Sequence, residues 1–143
     1  MSATLERVCR LFAIQAALIV AGIHLLWALP QLSVSLLFDP VVDSRPFLFV
    51  PAALLLVAVA AALFRGYHYR RLSALGGGTL AALLVGYLFL TPGPIGSLAT
   101  DPLAAVSKLV ELVGILAFAV LFYLHHPDRY GSPVPAESAS ADQ

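Results

Sequence analysis

Four long apolar stretches follow one another along the chain, separated by short segments that hold most of the charged residues and prolines. Each stretch has roughly 20 residues, enough at about 1.5 Å rise per residue to cross about 30 Å of hydrocarbon as an α-helix. The pattern predicts an all-α, polytopic membrane protein with four transmembrane helices in a compact bundle. The predicted spans are residues 9–29, 46–64, 72–91 and 103–125, within a membrane domain of residues 1–128.

The segments between the stretches carry helix-start signals and one compositional break. Asp101 precedes Pro102, and Ser44 lies two residues before Pro46, so capping side chains and prolines open the fourth and second helices. After residue 128 the chain is rich in proline, serine, alanine and acidic residues. Such a composition cannot bury enough apolar surface to stay ordered, which predicts a disordered tail over residues 129–143.

The composition places the chain in lipid and excludes several partners. Hydrophobic residues make up 60% of the sequence and charged residues 11%, whereas soluble domains have roughly half and a quarter. The bilayer is therefore the expected partner. The formal net charge of zero gives no field that would attract nucleic acid. A lone cysteine, Cys9, excludes an intramolecular disulfide and a Cys-x-x-Cys redox or zinc motif.

The distribution of positive charge predicts the orientation. If the N-terminus is cytoplasmic, six arginines lie inside, at positions 7, 10, 65, 70, 71 and 129, and only Arg45 and Lys108 lie outside. Positive residues accumulate on the cytoplasmic side, so both termini are expected there in a multi-pass protein of the cell membrane. The turn that contains Arg65, Arg70 and Arg71 is also expected to contact anionic lipid.

Four polar residues form a candidate polar cluster in the outer half of the membrane, in which His24 and Glu111 are predicted to share one depth. Glu111 lies about 10 Å along the fourth helix from its outer end, and Lys108 precedes it by one turn. His24 lies roughly 7 Å from the outer end of the first helix, and Tyr87 is near the outer end of the third. Two interpretations are open: a proton-linked or ligand-binding site, because ionisable groups in hydrocarbon are costly, or a network that only fixes helix packing.

Small residues at helical spacing predict where helices approach closely in lipid. The third helix has Gly78, Ala82 and Gly86 at four-residue spacing. In the first helix, Ala17 and Ala21 share a face with His24, which is expected to point into the bundle. Another face of this helix carries Gln15 and Gly22, which could contact a second copy or a partner membrane subunit.

The sequence contains few signals for catalysis or for cofactor binding. The sequence contains no nucleophile with a paired base, no phosphate-binding loop and no metal-ligand set, so neither an enzyme nor a bound cofactor or metal is expected. A pair of haem ligands needs two histidines at one depth. His24 is near the outer ends of the helices, whereas His68, His125 and His126 are near the inner ends.

The order of parts resembles that of the DoxX-like four-helix membrane proteins. The resemblance covers roughly residues 8–128 and is carried by AGIHLL at 21–26, a long outer connection, the basic turn after the second span, and SKLVELVG at 107–114. Gly22, His24 and the arginines at 65, 70 and 71 correspond to features of that group, whereas the acidic residue early in its second helix is absent here. The resemblance implies a small component linked to quinone or thiol redox systems, and the lone Cys9 disfavours the thiol branch.

Three function classes follow from these observations. The first is a non-enzymatic accessory or assembly protein of the membrane, which needs only packing faces and a polar cluster. The second is a proton-linked carrier or small-ligand binder that uses His24 and Glu111. The third, implied by the resemblance, is a redox-associated subunit with a quinone as its partner.

Overall fold

The computed structural model describes residues 3–32, 45–67 and 69–125, which form five α-helices. Their bounds are α1 Ala3–Ala28, α2 Arg45–Phe64, α3 Tyr69–Leu90, α4 Pro94–Thr100 and α5 Pro102–Leu124, and a 3-10 turn, Leu29–Gln31, follows α1. Helices α1, α2, α3 and α5 are long and apolar enough to cross a membrane. The prediction of an all-α bundle with four membrane helices is confirmed. The predicted tail, 129–143, lies outside the described residues.

Helix α1 is central to the bundle because it packs against both α2 and α5. Helix α3 packs mainly on α5, so the order around the bundle is α2, α1, α5, α3. Helices α2 and α3 are consecutive in the chain, but they contact each other far less than the other neighbouring pairs do. The ring of four helices is therefore open along one side.

Small residues allow the close approaches in the core. Ala17 and Ala21 of α1 are buried in the core cluster, as their spacing predicted. On α5, a Cβ added at Gly114 would lie 2.6 Å from a methyl carbon of Leu80 and 2.9 Å from the Cβ of Ala16. Phe118 lies so close to α3 that a Cβ at Gly76 would be 2.5 Å from its ring. These glycines allow α5 to contact α1 and α3 at once.

The prediction for the small residues of α3 needs a correction. Gly78, Ala82 and Gly86 do not face a neighbouring helix; they line the open side of the ring. No described atom outside the local backbone lies within 4 Å of a Cβ built at Gly78 or Gly86. The close packing of α3 instead involves Gly76 and Gly77, which precede this stripe and face Phe118.

The surface of the bundle is apolar, as contact with lipid requires. Large side chains such as Leu26, Phe64, Phe89 and Leu116 are strongly exposed on the four long helices. Burying these side chains in the bilayer removes their apolar surface from water. The structure thus fits a multi-pass membrane protein surrounded by acyl chains.

Two local features shape the chain between α3 and α5: a short helix and a side-chain cap. The segment after α3 is rich in proline and glycine, a composition typical of an irregular connector. It nevertheless forms α4, which begins at Pro94 after Gly93 in a left-handed conformation with φ 60°. The predicted cap of α5 is confirmed, since Asp101 Oδ1 accepts hydrogen bonds from the amides of Leu103 at 3.0 Å and Ala104 at 3.2 Å. Helix α4 and this cap bring the start of α5 close to the end of α3.

Candidate functional site

A groove runs between α2 and α3 along the open side of the ring, and we call it the α2–α3 groove. Its volume is about 820 Å³, within the roughly 300 to 1,000 Å³ typical of small-molecule sites. Helices α2 and α3 form its walls, and residues of α1 and α5 contribute to its floor. On the α3 wall, Gly78, Ala82 and Gly86 lie among larger lining residues such as Leu75 and Leu83 and leave space between them.

The lining of the groove is polar toward one end, where α1 and α3 finish and α2 and α5 begin. The polar and charged lining residues at this end are His24, Arg45, Tyr87, Thr91, Ser97, Asp101, Ser107 and Lys108. Toward the opposite end the lining is hydrocarbon apart from Thr79, whose hydroxyl donates to the carbonyl of Leu75 at 2.8 Å. The α2–α3 groove therefore has a polar end and an apolar end.

Behind the floor at the polar end lies an ion pair on α5. Lys108 Nζ donates to Glu111 Oε1 at 2.6 Å, and the Ser107 hydroxyl donates to the same oxygen at 3.2 Å. Glu111 is fully buried, whereas Lys108 is 8% exposed and lines the groove. Among the described residues, Glu111 Oε2 has no hydrogen-bond partner. One charge of each sign is thus held just behind the floor, and only the residue with the positive charge lines the groove.

His24 of α1 completes the floor. Its Nδ1 lies 2.9 Å from the carbonyl oxygen of Val20, and because a carbonyl only accepts, Nδ1 carries the hydrogen. Its Nε2 lies 3.9 Å from Glu111 Oε1, which is longer than a hydrogen bond. The edge of the ring meets Phe49 of α2, with 4.7 Å between ring centroids, which fixes its orientation. The carbonyl and the aromatic ring thus set which nitrogen is available to another group.

Tyr87 connects the ion pair to α4. Lys108 Nζ lies 4.9 Å from the centre of the Tyr87 ring, within the range of a cation–π contact. The Tyr87 hydroxyl is 2.5 Å from Ser97 Oγ and 3.3 Å from the carbonyl oxygen of Pro94. The Ser97 hydroxyl also donates to that carbonyl at 2.9 Å. The Tyr87 ring is therefore held in place beside the ammonium group.

Arg45 closes the polar end of the groove between its two walls. Its guanidinium, at the start of α2, donates to the carbonyl of Leu90 at the end of α3, with 2.6 Å between the atoms. In the sequence, Arg45 is only a charge that helps set topology, and no pattern marks Ser97 or Phe49 as part of a site. An arginine beside a helix-opening proline was the available signal, but its partner carbonyl is 45 residues away in sequence.

The structure brings together the four residues of the predicted polar cluster: His24, Tyr87, Lys108 and Glu111. The first and fourth membrane helices meet at this depth because small residues let α1 and α5 approach.

At the opposite end of the bundle, Arg65, Arg70 and Arg71 are exposed, and the guanidinium of Arg70 lies 5.0 Å from the ring centre of Phe122. Within the described ranges, no group of three His, Cys, Asp or Glu could hold a metal ion.

Comparison of the chain with protein-family models, with curated proteins and with solved structures gives no match.

Proposed function

We propose that this protein binds an amphipathic small molecule of the bilayer in the α2–α3 groove. The observation that carries the proposal is the polarity of the groove, whose polar side chains lie toward one end of an otherwise hydrocarbon lining. A molecule with a polar head and a hydrocarbon chain would match both ends at once. Its head would lie near His24 and Lys108, and its chain would run along the α3 wall past Gly78.

The free-energy cost of placing charged side chains in a membrane helix supports a binding role over a purely structural one. Charged side chains within a membrane helix cost roughly 2.5 to 3.5 kcal/mol on insertion scales, so Lys108 and Glu111 need a compensating benefit. An ion pair that only fixed helix packing would be expected to face protein on all sides. Lys108 and His24 instead line a groove of about 820 Å³. Their position at the edge of that space favours interaction with something that enters it.

The accessory class and the redox-associated class differ from this proposal only in what would occupy the groove. In an accessory protein, a helix of a partner subunit or of a second copy would lie in it. In a redox-associated subunit, the amphipathic molecule would be a quinone. The proton-linked class shares the same site, since His24 at the floor lies 3.9 Å from Glu111 just behind it. The exposed arginines 65, 70 and 71 would hold the other end of the bundle at anionic headgroups.

Photolabelling in liposomes tests the proposal. A long-chain alcohol and the matched fatty acid, each with a photoreactive group on the chain, would be incorporated in the bilayer with the purified protein. We expect at least one probe to label the groove walls around Leu55 and Leu75 above the level at fully lipid-facing positions such as Leu116. Labelling with both probes that merely followed exposure to lipid would overturn the proposal.

Two glycines provide a matched pair of variants. No described atom outside the local backbone lies within 4 Å of a Cβ at Gly78 or at Gly22, but only Gly78 lines the groove. Gly78→Leu should therefore reduce labelling of the walls several-fold while the protein stays folded, and Gly22→Leu should leave labelling unchanged. Unlabelled walls together with a stoichiometric second polypeptide in the purified protein would instead support the accessory class.

A further inference from the structure

We infer that the head of the bound molecule is an uncharged hydroxyl group, as in a long-chain or isoprenoid alcohol. This inference rests on the proposed function and names the chemical class of its ligand. Three features of the polar end carry it: the position of the available nitrogen atoms, their donor or acceptor character, and the charge balance at the floor.

The first feature is that two nitrogens lie within reach of one small head group. His24 Nε2 is 3.9 Å and Lys108 Nζ is 2.6 Å from the same oxygen, Glu111 Oε1. Both residues also line the α2–α3 groove. Because both nitrogens approach one oxygen and both side chains line the groove, we place the polar head beside these two residues.

The second feature is that these nitrogens have opposite hydrogen-bonding character. The hydrogen of the His24 ring is on Nδ1, where it is donated to the Val20 carbonyl, so Nε2 of the neutral ring accepts. The Lys108 ammonium has three N–H groups, and its bond to Glu111 uses one of them. The floor offers one acceptor and at least one donor. A hydroxyl group satisfies both, whereas an ester or ketone oxygen can only accept.

The third feature is the charge balance. Lys108 and Glu111 neutralise each other at 2.6 Å, so the floor has no net charge when His24 is neutral. A carboxylate head would leave one negative charge uncompensated at the floor, and an ammonium head one positive charge. An unpaired charge removed from water costs several kcal/mol. An uncharged head avoids this cost.

The test compares four ligands of matched chain length: cetyl alcohol, palmitic acid, methyl palmitate and cetylamine. Native mass spectrometry of the purified protein in mild detergent would give their relative affinities. We expect the alcohol to bind at least about tenfold more tightly than the acid and the amine, and several-fold more tightly than the ester, which lacks the donor. Tighter binding of the acid or the amine would overturn the inference while leaving the proposed function in place.

Charge variants give a second readout. In Glu111→Gln the positive charge of Lys108 loses its partner, so palmitic acid should become the preferred ligand and should raise the melting temperature of this variant more than that of the wild type. The double variant Lys108→Met/Glu111→Gln restores neutrality and should lose the preference for the acid. A ligand order that is the same in all three proteins would overturn the inference. If none of the four ligands binds the wild type and Gly78→Leu changes no labelling, the proposed function itself fails.

Discussion

Lys108 and Glu111 depend on each other for their place in the membrane. Glu111 is fully buried and Lys108 is almost so, and 2.6 Å separates their charged groups. Removing one partner of a buried pair is costly because the other charge remains without compensation, whereas removing both can be nearly neutral. This asymmetry gives a test at the level of single residues.

We expect Glu111→Gln to lower the free energy of unfolding by about 3 kcal/mol, since Lys108 would remain buried and unpaired. The double variant Lys108→Met/Glu111→Gln should recover most of that loss. Thermal unfolding in a mild detergent, without added ligand, measures both. Equal melting temperatures for the single and the double variant would show that Lys108 reaches water or headgroups without its partner.

At the scale of the helices, packing depends on which small residues face a neighbour. Gly114 of α5 is close to both α1 and α3, and a leucine there would collide with Leu80 and Ala16. Gly86 of α3 faces the groove, where a larger side chain meets no described atom within 4 Å of its Cβ. A leucine should therefore disturb the packing at Gly114 and be accommodated at Gly86.

Gly114→Leu should destabilise the bundle by at least the roughly 1 to 3 kcal/mol typical of overpacking, because both neighbours are fixed in the core. Gly86→Leu should change the melting temperature little. Thermal unfolding of the two variants side by side is the measurement, and a larger loss for Gly86→Leu would mean that α3 meets another helix along the groove.

The depth of the polar cluster could be predicted from the sequence, because the constant rise of an α-helix places His24 and Glu111 at similar distances from the helix ends. The direction in which the small residues of α3 face could not be predicted from the sequence. A stripe of small residues such as Gly78, Ala82 and Gly86 lets a helix approach, and it equally widens a groove. Which outcome occurs depends on where Phe118 and Leu80 place α3 relative to α5, and that is a property of the whole bundle. Arg45 was missed for the same reason, since its acceptor carbonyl is on another helix.

At the scale of the whole molecule, the four described long helices bring the start of α1 and the end of α5 to the same end of the bundle, where Glu6 and His125 lie 3.5 Å apart. The positive charges of Arg7 and Arg10 lie at the same end of the bundle as the basic turn between α2 and α3. We propose that this end is cytoplasmic, because cytoplasmic segments retain most lysines and arginines. The polar end of the groove would then lie in the outer leaflet.

Topology reporters test this orientation. An alkaline phosphatase or fluorescent reporter fused after Gln143 should show a cytoplasmic location, and one inserted within residues 91–97 should show export. The reverse pattern would invert the molecule, and equal signals from both positions would indicate mixed insertion. Replacing Arg70 and Arg71 with glutamine should increase the inverted fraction if positive charge sets the orientation.

The bond between Arg45 and Leu90 has a consequence for how the protein would meet its ligand. The chain joins α2 to α3 at one end of the groove, and this bond joins them at the other. Among the described residues, the opening left between the two helices is therefore lateral, which is the side that would face acyl chains in a bilayer. A molecule entering there is already dissolved in the membrane. Occupancy would then follow its mole fraction in the lipid rather than its aqueous concentration. Adding empty liposomes at constant total ligand should therefore dilute the complex, even though the volume of water is unchanged.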